Sequence, residues 1–293
     1  MFMRRIRVVA IFVAASLVVL LAGPTAASAT AWRSNNGDGD RPGKYYLSLG
    51  DSMAFGFQEE RFVAMLESGN YSADGFDTGY TEVLASRMRR LRPTQQTVNL
   101  SCPGESTRSM IKGGCEFTQP DPDGFAFTLH TDYDGSQLDA AAAFLRAHRR
   151  QIGPVTVAIG GNDAVQAITE CEFDAACVDK SGLRERLGRN LDRILGAIRA
   201  AAPDADVVLI SFYNPFALEV PQSDGLWRRN YAAVEKDAAR RNDVRLVDLW
   251  EIIDSNGKLC RLTFLCANGD LHPNDAGYAR IANAVYEALD YSR

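Results

Sequence analysis

From Lys44 onward the chain alternates short apolar runs with longer stretches of helical period. The runs lie at residues 45–49 (YYLSL), 96–100 (QTVNL), 155–159 (VTVAI), 206–211 (DVVLIS) and 244–247 (VRLV). They are too short for helices and rich in β-branched side chains, so they read as buried strands. Between and after them, residues 81–91, 136–149, 181–202, 226–241 and 274–289 read as helices. The clearest has Leu183, Leu187, Leu191, Ile194 and Ile198 on one face. Ser136 offers itself as an N-cap, and Pro93 and Pro273 punctuate two of the ends. Strands that alternate with helices need right-handed crossovers, which gives a parallel sheet covered on both faces. The predicted fold is therefore α/β: a three-layer α/β/α sandwich on a five-stranded parallel sheet, flavodoxin-like in topology. No internal repeat is visible. Residues 105–135 carry no clear period and read as an insertion at the rim of a site.

The first residues follow a different pattern. Arg4, Arg5 and Arg7 precede an apolar run over 8–21, and Ala27-Ser28-Ala29 follows. Such a run falls short of the about 20 apolar residues of a membrane span. The pattern predicts a secretory signal peptide over 1–29, with cleavage after Ala29, or after Ala31 as the rival. The Arg pair leaves Sec and Tat export both open. Residues 30–43, rich in Asn, Gly, Asp and Ser, read as a flexible linker ahead of a single domain over 44–293.

Six cysteines agree with export. They fall as close neighbours: Cys102 and Cys115, Cys171 and Cys177, Cys260 and Cys266. Short loops close at the least entropic cost, which favours neighbour pairing into three disulfides. Spacings of metal-binding type are missing, so no metal site is expected of them. A net charge of −5, with no basic stripe beyond the leader, argues against a nucleic-acid partner. The mature chain is expected to be a monomer with no stable membrane anchor and no cofactor.

In a doubly wound sheet the ligand site lies at the carboxyl ends of the strands. Three polar clusters fall there: Gly50-Asp51-Ser52, residues 101–106 (SCPGES) and Gly160-Gly161-Asn162-Asp163. A fourth, Gly269-Asp270-Leu271-His272-Pro273, precedes the last helix. A hydroxyl, small backbone donors, an amide and an imidazole are the inventory of acyl transfer.

With these blocks in order, the sequence resembles the SGNH, or GDSL, hydrolases, and within them secreted bacterial esterases and lipases. The resemblance covers nearly the whole mature chain. It implies the SGNH hydrolase fold and a serine hydrolase of carboxylic esters. Ser52 would be the nucleophile and His272 its base. The Ser52 and Gly104 N–H groups and the Asn162 amide would form the oxyanion hole. The acid of the family usually stands three residues before the histidine, where this chain has Gly269; Asp270 is two before. Either the Asp270 carboxylate or the Gly269 carbonyl would then hold the imidazole. Asp51 and Asp163 read as loop braces. Of the other histidines, His148 sits in an Arg-rich stretch that reads as solvated surface, and His130 lies in the insertion.

The substrate is expected to be a small-molecule or lipid ester. Phe55, Phe57, Phe125, Phe127 and residues 213–216 (YNPF) are candidates for an acyl pocket, with core packing as the alternative for each. A carbohydrate acetyl esterase is the rival within hydrolases, and a non-catalytic secreted binding module is the rival outside them. A standard α/β-hydrolase is disfavoured, because Gly50-Asp51-Ser52-Met53-Ala54 lacks the final glycine of its elbow. A flavodoxin-like cofactor binder is disfavoured, because it would not need Ser52, Asn162 and His272 together and no G-x-G-x-x-G opens a helix after a strand.

Overall fold

The computed structural model describes residues 43–291, apart from 114, 121–124 and 255–256. The expected signal peptide, and the expected linker up to residue 42, lie outside the described residues.

Five parallel strands form one sheet in the order β2-β1-β3-β4-β5. They are β1 (Tyr45–Gly50), β2 (Gln96–Asn99), β3 (Ile152–Ala158), β4 (Asp206–Ile210) and β5 (Arg245–Val247). Between β1 and β2 run α1 (Ser52–Phe55), α2 (Glu59–Glu67) and α3 (Tyr80–Leu91). Between β2 and β3 come α4 (Thr107–Lys112) and α5 (Gln137–Ala147), and between β3 and β4 come α6 (Gly161–Glu170), α7 (Ala175–Lys180) and α8 (Leu183–Ala201). Then follow α9 (Ser223–Trp227), α10 (Ala233–Arg241), α11 (Leu259–Leu262) and α12 (Asp275–Ala288).

The strands obey the period of two that a pleated sheet imposes. Leu47, Leu49, Val155, Val157, Val207 and Leu209 enter one core, against Leu145 of α5, Leu191 of α8 and Ala238 of α10. Tyr46, Ala158, Val208, Ile210 and Val247 enter the other, against Leu84 and Met88 of α3 and Ile281 and Val285 of α12. Both faces are covered, which explains why the strand sequences are apolar throughout. Because every strand runs the same way, the residues that follow β1, β2 and β3 gather along one edge.

The structure adds short helices that the sequence reading does not include, among them α2, α6, α7 and α11, and three further segments differ from that reading. β3 begins at Ile152 and takes in Gly153 and Pro154, although a proline counts against a strand. The register of β1 on β3 shifts between Tyr45 and Leu47 there, and the Tyr45 N–H bonds the Gln151 carbonyl at 3.0 Å. Proline's missing donor is thus absorbed at an irregular strand start. The single helix expected over 226–241 is interrupted by a π-helical turn, Arg228–Ala232, between α9 and α10. The wider turn brings both Asn230 and Tyr231 inward to full burial. The aperiodic stretch 105–135 holds α4 and a 3₁₀ turn, Glu116–Thr118. α4 is started by a capping box between Ser106 and Ser109. Serine in place of Glu or Gln at the third helical position hid that signal.

The cysteines pair as neighbours: Cys102–Cys115, Cys171–Cys177 and Cys260–Cys266.

Replacing Leu191 by Ala should lower unfolding free energy by about 2–5 kcal/mol, as for other fully buried leucines. Denaturant titration measures it. Leu191 itself faces the buried core and belongs to none of the polar blocks, so the activity expected of those blocks, per folded molecule, should stay within about twofold of wild type.

Candidate active site

Ser52 is the first residue of α1, immediately beyond β1. Gly50 makes that turn: its φ is +139°, and a Cβ there would stand 1.9 Å from the Ala158 carbonyl oxygen. Only glycine fits. Asp51 caps α1 by accepting the Met53 N–H at 2.9 Å, and left-handed Gly56 closes it. The short helix is then pinned from outside. Thr81 Oγ1 and Asn99 Nδ2 both donate to the Ala54 carbonyl, at 2.9 and 3.2 Å. His130 Nε2 donates to the Phe55 carbonyl at 3.0 Å.

His272 arrives from the other end of the chain, in the loop before α12. Its Nε2 stands 2.8 Å from Ser52 Oγ, and its Nδ1 stands 2.5 Å from Asp270 Oδ1. Asp270 Oδ1 also accepts the His272 backbone N–H at 3.1 Å. This is an Asx turn, which folds the carboxylate back onto the residue two ahead. The Gly269 N–H bonds the Leu265 carbonyl at 3.2 Å, and Gly269 has the left-handed φ of +85° that lets the chain reverse. Asp270 Oδ2 accepts the Glu59 N–H at 2.9 Å, so the carboxylate sits at the N-terminus of α2. Burial pushes the Asp270 carboxyl up. The bonds from His272 and the α2 amide, with the charge of the imidazole, outweigh it and hold the group below the ordinary carboxylate range. The loop itself is held by the Tyr213 hydroxyl, which donates to the Leu271 carbonyl, and by Gln58 Nε2, which donates to the Pro273 carbonyl at 3.2 Å.

Gly104 follows β2 with φ +76°, and a Cβ there would meet the Phe117 ring at 2.0 Å. Asn162 lies in the first turn of α6. Its Nδ2 donates one hydrogen to the Glu105 carbonyl at 2.8 Å. A primary amide has two such hydrogens, so one remains for the cavity that Asn162 lines. α6 begins behind left-handed Gly160 and buries Ala164, Ala167 and Ile168. The glycines of the GGND block mask this helix in the sequence.

Ser52, His272, Gly104 and Asn162 thus open onto one cavity of about 240 Å³. Its apolar walls are Phe57, Phe117, Phe127, Val165, Phe212 and Leu271. Of the aromatic candidates, Phe57 and Phe127 line it. Phe55 lies behind in the core, and Phe125 backs Phe127 with ring centroids 5.4 Å apart. Tyr213 is wholly buried, and Phe216 packs on Phe173. Phe117 and Phe212 escaped the sequence reading. Phe117 is 45% exposed, and its place on Gly104 follows from the Cys102–Cys115 bridge just before it. His148 is not free in solvent: its ring packs 4.5 Å from both Tyr45 and Phe144.

A model of the GDSL-like lipase/acylhydrolase family matches residues 48–280. The chain belongs to that family. The extracellular lipase of Streptomyces rimosus has the same fold at 18% identity, with a TM-score of 0.55 over 84% of this chain and 99% of that one. A variant of Axe2, an acetyl xylan esterase of Geobacillus stearothermophilus, is similar at 16% identity and a TM-score of 0.54, over 86% and 97%. The uncharacterized protein YpmR of Bacillus subtilis (strain 168) is 23% identical over 134 residues, 45% of this chain. The chain spans about half the length of that curated relative, 51%.

Around Ser52 and Asn162 stand further carboxyls. Burial pushes Asp51 up to about 7, against the Met53 N–H bond and with Asp163 and Glu105 adding to the rise. A carboxyl raised in the folded state binds extra protons there, so its contribution to stability is lost as the pH climbs from about 4 to about 7. Asn is as good a helix cap as Asp. Asp51→Asn should therefore gain melting temperature relative to wild type as the pH is raised from 4 to 8. Parallel thermal melts across that range check it, and a flat difference would refute the shift.

Proposed function

We propose that this GDSL-family chain is an exported serine hydrolase of apolar acyl esters. The observation that carries the reading is the hydrogen-bonded chain Ser52–His272–Asp270 at the mouth of an aromatic cavity. An isolated serine hydroxyl is a poor nucleophile; an imidazole at 2.8 Å is positioned to take its proton. His272 Nε2 accepts the Ser52 proton as Oγ attacks the ester carbonyl. Asp270, kept ionised, fixes the tautomer with the proton on Nδ1 and stabilises the imidazolium. The developing oxyanion is met by the Ser52 and Gly104 N–H groups and by the second Asn162 amide hydrogen. His272 returns the proton to the departing alcohol, and water then releases the acid from Ser52 by the same steps in reverse.

The walls bear on the substrate. An acetyl group would fill only a small part of the cavity of about 240 Å³, whereas a longer acyl chain would cover more of its aromatic walls. Each buried methylene is worth about 0.8 kcal/mol, so kcat/KM should rise roughly three- to fourfold per added carbon until the cavity is full. A panel of p-nitrophenyl esters from acetyl upward tests this. A maximum at acetyl, with turnover of acetylated glycans, would favour the carbohydrate esterase instead. Phe117→Ala should flatten the preference for longer chains while leaving acetate turnover within a few fold.

The disulfides, together with the basic and apolar leader pattern in the sequence, support export. Among the described residues no helix is long and apolar enough to cross a membrane. N-terminal sequencing of protein recovered from culture medium should begin at Thr30.

A fluorophosphonate probe should label Ser52. Ser52→Ala should lose labelling and nearly all turnover while keeping its melting temperature; His272→Ala should lose a comparable share. A folded wild-type chain that neither takes the probe nor cleaves any ester would point to a binding module.

A further inference from the structure

At the start of α5 stands Gln137. It is 1% exposed and makes three hydrogen bonds, none of them within its own helix. Its Oε1 accepts the Gly50 N–H at 2.6 Å, and its Nε2 donates to the Gly50 carbonyl at 2.9 Å. One side-chain amide therefore pairs with both backbone groups of the residue that makes the nucleophile turn. The same Nε2 donates to Glu105 Oε2 at 3.1 Å. Glu105 is 3% exposed, follows Gly104 directly, and its carbonyl takes the Asn162 amide at 2.8 Å. A continuous path thus runs from Gly50 through Gln137 and Glu105 to Asn162.

We propose that Gln137 is a positioning residue for acyl transfer, whose amide locks the turn carrying Ser52 to the Gly104–Glu105 segment, and through the Glu105 carbonyl to Asn162. The proposal rests on the reading of those three residues given above. Its logic is one of register. The nucleophile and its own N–H follow β1, while the Gly104 and Asn162 donors follow β2 and β3, so no contact within one segment fixes their separation. Donors help only when they sit within a few tenths of an ångström of the developing charge. Gln137 supplies the cross-brace, and its chemistry suits the place: an acceptor faces the single donor, and a donor faces two acceptors. The ladder of β1 contributes a further tie, since the Cys102 N–H bonds the same Gly50 carbonyl at 3.0 Å.

A glutamate at this position would be isosteric and electrically wrong. It would set an oxygen against the Gly50 carbonyl and against Glu105. Glu105 already lies near the Asp51 carboxyl and the Tyr133 and Ser109 hydroxyls, and its Oε1 is buried with no hydrogen-bond partner. A proton shared between the two carboxyls would restore a donor between them.

The test uses the full chain, with active sites counted by fluorophosphonate titration so that misfolded molecules drop out. Gln137→Met keeps the side chain's length and removes its hydrogen bonds. Its kcat should fall about ten- to hundredfold with KM within threefold, less than the roughly 10²–10³ for loss of an entire oxyanion donor. For Gln137→Glu, the ratio of its kcat to that of wild type should rise as the pH is lowered from 8 to 5. Glu105→Met reports the same link from the other end should Gln137→Met not fold. A folded Gln137→Met with kcat within twofold of wild type, or a Gln137→Glu ratio flat in pH, overturns the proposal. Inactivity of the wild type itself, without labelling of Ser52, would instead sink the hydrolase reading and this one with it.

Discussion

Asp270 keeps its charge in a nearly dry place because three N–H groups converge on it. Two belong to His272 and one to the first turn of α2. That arrangement ties together parts of the chain that share no strand. It aims the imidazole at Ser52, closes the loop before α12 onto itself, and seats α2 beside the cavity. A carboxylate in such a position is stabilised by the positive end of the helix as well as by the direct bonds. Remove the carboxylate and α2 loses the acceptor for its first amide, because Gln58 at its cap gives no side-chain bond. Chemistry and architecture are coupled here through one side chain.

Much of this was legible in the sequence, and the reason is topological. Strands of a parallel sheet end at one edge, so polar blocks that follow apolar runs must meet. GDS, the glycine after β2 and GGND follow β1, β2 and β3, and the histidine block joins them from beyond β5. The orientation of Asp270 was not legible. It depends on an Asx turn behind a left-handed glycine, and two-residue spacing alone does not reveal whether a side chain folds back. Gln137 was invisible for a different reason. It reads as an ordinary first-turn residue behind a serine cap, and its partners lie 87 and 32 positions away. Phe117 was hidden inside an aperiodic stretch, where the disulfide rather than any periodicity determines what meets what.

The site also has an electrostatic character of its own. Asp51 and Glu105 both have burial pushing them up to about 7, and Asp163 is raised as well. Asp270, by contrast with these three, is held low. The carboxyl in contact with the imidazole is thus the one that stays charged, while its neighbours are more readily neutral. Asp51 and Asp163 act through geometry: the first caps α1, and the second receives the Thr107 N–H and hydroxyl at 2.8 and 2.7 Å.

The walls of the cavity come from segments that the sheet does not contain. Phe57 follows α1, Phe117 follows the Cys102–Cys115 bridge, and Phe127 sits in the stretch that leads to α5. Ser52, by contrast, is set by a strand end. Phe117 and Phe127 lie in stretches that carry neither Ser52 nor His272, so a lineage could reshape what enters the chamber by altering these two rings, whereas Phe57, hydrogen-bonded to Ser52 and packed on His272, is bound to the reactive centre's own frame.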